Sequence, residues 1–384
     1  MSDPLKPRFR SSPPPAVAVQ RASARNAMRA PSLREPVTAW RSTQQTGHPL
    51  VGKVWRLGQT RLTAIDDPAW RDDLATRPFL LLGEVHDNPD HHRLQAHALV
   101  GRGARGGPVV LEMLNDDQMG ALAVQGRPRD GAEAARTADA FFKLVKWNAS
   151  GWPPAALYRP IIEQAILEGL SLRAGSAARR DVRRIGRQGL DVWLDAKRRA
   201  ALGLTPLGPA EQAALERELM VGHCNLMPAR MIPSMVDVQR FRDARMADAM
   251  LAPEPKRSGS QVSAPVSGAA GGPSPGAGPG PGPRDAQKPP SPGAVLIAGN
   301  GHVRADRAVP LYLMRRGIVR SAIAVIVHAE VEPGRTDAAA QVPRDPAGRP
   351  VADAVVFTPR MKRPDPCDQL RAMMERIRRN KKKP

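Results

Sequence analysis

FLLLGEVHDNPDHHRLQAHAL, residues Phe79 to Leu99, is the stretch whose reading decides the fold class. Phe79, Leu80, Leu81 and Leu82 form a short unbroken apolar run, the mark of a strand buried on both faces as in parallel sheets. Gly83 ends the run. Glu84 and His86 follow two positions apart, so an extended backbone turns both side chains the same way, where they can grip one substrate, metal or proton. Asn88 and Pro89 are a helix start, with asparagine as N-cap and proline at the first helical position. The helix is expected to run through Leu94 to about Leu99. His91, His92 and His97 lie on it and are set aside, because at most one face of that helix can look into a cleft. Strand, polar loop and helix N-terminus in this order form the place where open α/β sheets bind ligands.

The same grammar extends outward. VGKVWRL and TRLTAI read as two short strands of an edge hairpin. After the Gly-rich turn GRGARGG comes PVVLEML, a second buried strand from about Val109 that carries Glu112 near its end. Helical patterns follow over Asp116 to Val124 and Ala132 to Lys146. A further helix is expected from Pro154, kinked by Pro160, before a third strand at Leu170 to Ala174. Two helices fill Pro209 to Leu251, the second with a methionine stripe that suits an adaptable core or the face of a flat apolar ligand. AVLIAG supplies a fourth buried strand, IVRSAIAVIVHAEV a fifth and ADAVVFTP a sixth. Strands alternating with helices predict an α/β fold with a central, mainly parallel sheet flanked by helices.

Composition limits how much of the 384 residues can build that fold. Residues 1–47 hold eight Arg and Lys against two acids, and residues 359–384 hold ten against three, so the two ends account for thirteen of the 21 net positive charges. Residues 252–292 contain 25 Pro, Gly or Ser in 41 positions. The expected organisation is a disordered basic arm over 1–47, one α/β domain over 48–358 interrupted by a flexible insertion at 252–292, and a basic tail over 359–384. Bridging such an insertion adds only about 0.6 kcal/mol per doubling of loop length, so one fold can span it. The basic ends admit nucleic acid or an anionic membrane as partners, although solvated disorder is the ordinary use of such tails and aromatics are too scarce for base stacking. Cys224 and Cys367 show no metal spacing, so a reduced or disulfide-independent protein is expected. No stretch of eighteen apolar residues, signal-peptide core or lipid-bearing N-terminal cysteine occurs, and as written the chain is expected to stay in the cytoplasm with no transmembrane segment.

One coincidence points to a site. Gly-x-x-His closes a buried strand twice, at Gly83 to His86 and at Gly299 to His302, and each time a helix follows. If the two strands are parallel neighbours, His86 and His302 share one rim of the sheet, and Glu84 and Glu112 join them. Two carboxylates and two imidazoles can hold a divalent metal ion or divide general acid and base work, as in a hydrolase, though no Gly-x-Ser-x-Gly elbow is present. The basic run Arg179, Arg180, Arg183 and Arg184 beyond the third strand is ordinarily a solvated helix face, but Arg179 or Arg180, one turn past the strand end, is placed to reach a ligand carboxylate or phosphate in the same cleft.

LLLGEVHDNPDHHRLQ, VVLEM, GHCNLMP, the run from Gln239 to Ala247 and AGNGHVRADRAVPLYL together resemble the ChaN-like haem-binding uptake proteins, in the superfamily of the erythromycin esterases and the Tiki and TraB proteins. The resemblance covers roughly His48 to His328 apart from the insertion. It implies an α/β domain with a ligand cleft at the two Gly-x-x-His loops, haem as cofactor, a homodimer, and tyrosine ligation of the iron. With only two tyrosines in the chain, that ligand would be Tyr158 or Tyr312. The esterase branch implies hydrolysis, and the Tiki branch metal-dependent proteolysis, at the positions of Glu84, His86, Glu112 and His302. Many relatives are exported or membrane-anchored, which leaves the compartment open, and the resemblance accounts for neither the insertion nor the basic ends.

Overall fold

The computed structural model describes residues 38–58, 61–118, 128, 130–253 and 293–381. Eight strands form one sheet: β1 Lys53–Arg56, β2 Thr63–Ala64, β3 Phe79–Glu84, β4 Pro108–Asn115, β5 Ser171–Ser176, β6 Ala294–Gly299, β7 Ile323–Glu330 and β8 Ala354–Thr358. Their spatial order is β2-β1-β8-β7-β3-β6-β4-β5. From β8 to β5 every neighbouring pair is parallel, and only β1 runs against the rest, pairing antiparallel with both β2 and β8. The α/β class with a mainly parallel sheet is therefore as expected. The hairpin lies beside β8, two strands away from β3.

β3 sits near the middle, and all six of its residues are buried. Its alternating side chains serve two separate cores, as the strand period of two requires. Leu80 and Leu82 pack with the helices Pro89–Ala98, Gly131–Leu144 and Ala155–Leu167 on one face. Phe79 and Leu81 pack with the helices Ile232–Leu251 and Val309–Arg315 on the other. The sheet is thus the middle of three layers, which is why its strands read as continuous apolar runs rather than alternating ones.

The helix after β3 starts where the sequence places it. The Asn88 side chain accepts from the backbone N–H of Asp90 at 2.9 Å, and Pro89 occupies the first helical position. Asn88 also donates to Glu330 Oε1 at 2.8 Å, so the cap is itself fixed by the end of β7. Asp90 in the first turn accepts from the N–H groups of Arg41 and Ser42, both at 2.8 Å. That contact fixes part of the arm expected to be disordered. The expected helix Asp116 to Val124 is a short 3-10 turn over Asp116–Gln118, and the rest of that span lies outside the described residues, as do 1–37 and 254–292.

The cysteines correct the sequence reading, because Cys224 and Cys367 form a disulfide. At a sequence separation of 143, spacing carries no signal; the fold brings the turn after the helix Pro209–Gly222 to the start of the helix Pro366–Lys381. A second clamp precedes that helix. Arg363 bridges Asp87 and Glu330, with N···O distances of 2.6 to 2.8 Å. Residues 360–363 therefore belong structurally to the rim of the sheet. Among the described residues no helix is long and apolar enough to cross a membrane.

Gly83 is needed for close approach rather than for a special backbone angle. A methyl group there would run into the Asn300 side chain and come within 2.7 Å of Val303 Cγ2. Gly83→Ala is expected to destabilise the fold by about 1–3 kcal/mol. Urea denaturation followed by circular dichroism would show this as a lowered midpoint with an unchanged slope.

Candidate functional site

Parallel pairing of β3 with β6 is in register, with Gly83 opposite Ala298 and Glu84 opposite Gly299. β4 lies on the other side of β6. The C-terminal ends of three adjacent strands therefore deliver Glu84, Glu112 and the Gly299–His302 turn to one rim, and the loop after β3 adds His86.

Glu112 is the centre of the cluster. Its Oε2 accepts from the backbone N–H of Gly299 at 2.8 Å, and its Oε1 accepts from Arg242 at 2.9 Å and lies 3.2 Å from His302 Nε2. Burial alone would raise this carboxyl, but His302, His86 and Arg242 outweigh it and hold the group far below the ordinary carboxylate range. His302 is opposed by burial and supported by Glu112 and Asp243, whose Oδ1 is 2.6 Å from Nδ1. The two acids win, and the imidazole is raised to about 9. Burial lifts Asp243 to about 6 despite the neighbouring His302.

A second dyad stands beside the first. His86 Nδ1 is 2.8 Å from Glu84 Oε1, and the Tyr158 hydroxyl donates to the same oxygen at 2.8 Å. His92 Nε2 lies 3.3 Å from Glu84 Oε2, off line for a good hydrogen bond, and among the described residues neither atom has another partner. Burial works to raise the Glu84 carboxyl, yet His92 and His86 hold it well below its usual value. With Glu84 ionised, His86 gives it the Nδ1 proton, and Nε2 is left 3.7 Å from Glu112 Oε2 with no hydrogen bond among the described residues. Burial lowers the His86 pKa, but Glu84 and Glu112 raise it by more. The His86 side chain is 32 % exposed, against 8 % for His302 and none for Glu84, so it is the imidazole that meets the outside. Trp152 stands edge-on to it at 4.9 Å between ring centres.

Glu84, His86, Glu112 and His302 are thus within one connected network. Tyr158 reaches it through its hydroxyl, from a completely buried ring that packs against His92 at 4.2 Å between ring centres. Burial and Glu84 both push that phenol far up, so it stays protonated. Tyr312 lies in the opposite core, fully buried, its hydroxyl without a hydrogen bond among the described residues, and burial lifts it to about 12. Arg179 donates to the Ser150 carbonyl at 3.1 Å, next to the Trp152 loop. Arg242, Asp243 and His92 are the members that sequence reasoning missed. The first two lie in the Gln239 to Ala247 run, where Gln239 and Asp243, four apart on one helical face, both approach His302 Nδ1. His92 was set aside with His91 and His97, yet it is the residue whose helical face looks at Glu84. His91 is instead held by the N–H of Val85 at 2.9 Å and the Thr358 hydroxyl at 2.8 Å.

Among the described residues no group of three or more His, Cys, Asp or Glu side chains is arranged to hold a metal ion, so the divalent-metal expectation finds no support. The family model described as haem-binding uptake, Tiki superfamily, ChaN, matches residues 70–271, more than half of the chain. The chain belongs to the ChaN family. Among solved structures, one titled for cofacial heme binding to ChaN of Campylobacter jejuni is similar at 16 % identity and a TM-score of 0.47, covering 79 % of this chain and 95 % of that one. No curated protein matches. The ChaN match takes in β3, β4, β5 and the helix Ile232–Leu251, and so includes every cluster residue except His302.

Removing the hub charge should be costly. Glu112→Gln leaves Arg242 and the His302 imidazolium without their shared counter-charge, and a loss of about 3–5 kcal/mol is expected in chemical denaturation. The pH dependence follows from His302. Its folded pKa of about 9 exceeds the ordinary 6.5, so its stabilising contribution is complete below pH 6.5 and disappears as pH rises through 9. Calorimetry between pH 6.5 and 10 should show Tm falling across that window, and His302→Gln should flatten this part of the profile.

Proposed function

We propose that the chain binds haem at the rim of the sheet, with His86 Nε2 as the axial ligand. The observation that carries this reading is the orientation of His86: Nδ1 is committed to Glu84 at 2.8 Å, and Nε2, without a hydrogen bond among the described residues, lies on a ring one-third exposed. A carboxylate behind an imidazole fixes the tautomer and raises the basicity of the remaining nitrogen, as metal-binding histidines require. Ferric iron in a porphyrin accepts such a lone pair. Trp152 offers an aromatic edge beside the ring, and Arg179 a cation near the same loop for a propionate. Family membership supports the ligand class.

Neither tyrosine is favoured as the ligand, because a buried phenol held protonated beside Glu84, or sealed in the opposite core, is poorly placed to bond iron. A role in uptake, and pairing of two copies over the ligand, are parts of the same proposal. The disulfide is in keeping with uptake, since such bonds persist in oxidising compartments.

Purified protein titrated with hemin should give a saturable, shifted Soret band. His86→Ala should abolish the shift, whereas Tyr158→Phe combined with Tyr312→Phe should retain it; the opposite pattern would return the ligand to a tyrosine. Protons compete with iron for Nε2, so affinity should fall as pH drops through the raised His86 pKa, and Glu84→Gln should move that fall to lower pH.

The Glu84–His86 dyad is also the arrangement of a general base, so hydrolysis is a second reading. Turnover of simple esters that is lost in His86→Ala, in protein that does not bind hemin, would favour it.

A further inference from the structure

A cavity of about 230 Å³ lies between the sheet and the helix Pro89–Ala98. Leu80, Leu82, Ile326 and Val356 form its sheet wall, and Leu94 and Ala98 its helical wall. It is larger than an apolar cavity of about 150 Å³ that holds benzene, yet below the about 300–1,000 Å³ typical of drug-sized ligands. A porphyrin does not fit.

The two ends of the cavity differ. Leu82 and His328 at the inner end are 0 % and 2 % exposed, whereas Val100 at the outer end is 51 % exposed and is accompanied by the half-buried Arg71 and His97. Among the described residues no carboxylate lines the space. The Arg71 guanidinium has no hydrogen-bond or ion-pair partner among the described residues. His97 is kept neutral by burial and by the positive charge of Arg71. At the inner end, His328 Nδ1 is 2.7 Å from the Gly83 carbonyl and must carry the ring proton, and burial holds the imidazole at about 4, so it is neutral. Nε2 is then an acceptor on a buried ring with no partner among the described residues.

A cation at the mouth, apolar walls and one buried acceptor at the far end specify a ligand. We propose that this cavity is a second binding site, which takes a small hydroxylated carboxylic acid with an apolar body: the carboxylate against Arg71, the hydroxyl donating to His328 Nε2. An anion at the mouth gains a charge-assisted hydrogen bond, and the inner hydroxyl satisfies a group that is otherwise left unpaired in the core. The site and the haem reading rest on different residues, because none of the lining residues belongs to the rim cluster.

Isothermal titration of the full chain with 3- and 4-hydroxybenzoate, benzoate and phenol tests the assignment. A hydroxybenzoate is expected to bind saturably and more tightly than benzoate. Arg71→Gln should weaken the acids about tenfold or more and leave phenol unchanged, and Ala98→Trp, which fills the cavity, should abolish all binding while the hemin titration stays as in the parent protein. If Ala98→Trp does not fold, the Arg71→Gln comparison decides alone. Absence of saturable binding by any acid up to about 10 mM, equal affinity in Arg71→Gln, or benzoate binding as tightly as both hydroxybenzoates would overturn the proposal.

Discussion

The Glu112 carboxylate is the constraint on which the rim depends. It originates on β4, accepts the N–H of Gly299 at the end of β6, and engages Arg242 from the helix Ile232–Leu251 and His302 from the turn after β6. One buried anion therefore sets the relative positions of two strand ends, a helix and a loop. A buried charge is tolerated only when its surroundings satisfy it, and here a backbone donor, a guanidinium and an imidazolium do so. Because these partners come from elements distant in sequence, the cluster can exist only once the sheet is assembled.

The second consequence is a division of labour between the two histidines. His302 is enclosed by Glu112 and Asp243 and stays charged, a structural cation. His86 has one nitrogen committed to Glu84 and the other without a hydrogen bond among the described residues, on a ring that reaches solvent. Gly299 makes this arrangement sterically feasible, since a methyl group there would stand 2.8 Å from His86 Nε2. The glycine of the second loop thus makes room for the histidine of the first. The two Gly-x-x-His loops are thus in direct contact, although the two histidines do different things.

Much of the fold was legible in the chain because it rests on local rules. Apolar runs such as Phe79–Leu82 announce strands covered on both faces, and Asn88–Pro89 announces a helix start; both hold in the structure. The likeness of the two strand-ending loops also led to the neighbouring strands β3 and β6. What stayed hidden depends on long-range geometry. Arg242 and Asp243 look like ordinary charged positions on a helix until His302 and Glu112 are brought to them. The same holds for His92, whose value depends on which helical face meets the rim. The cysteine pair was invisible for a simpler reason: sequence spacing says nothing about two residues joined only by the folding of everything between them.

That disulfide has a topological consequence. Cys224 precedes the Pro-, Gly- and Ser-rich stretch 252–292, and Cys367 follows it. A backbone break anywhere in that stretch would divide the chain into one fragment bearing β1 to β5 and another bearing β6 to β8, yet the two would remain a single covalent molecule. Strand order makes the outcome more than a tether, because β6 from the second fragment is inserted between β3 and β4 from the first. The continuity of the peptide at the insertion and the integrity of the sheet are separable properties of this protein.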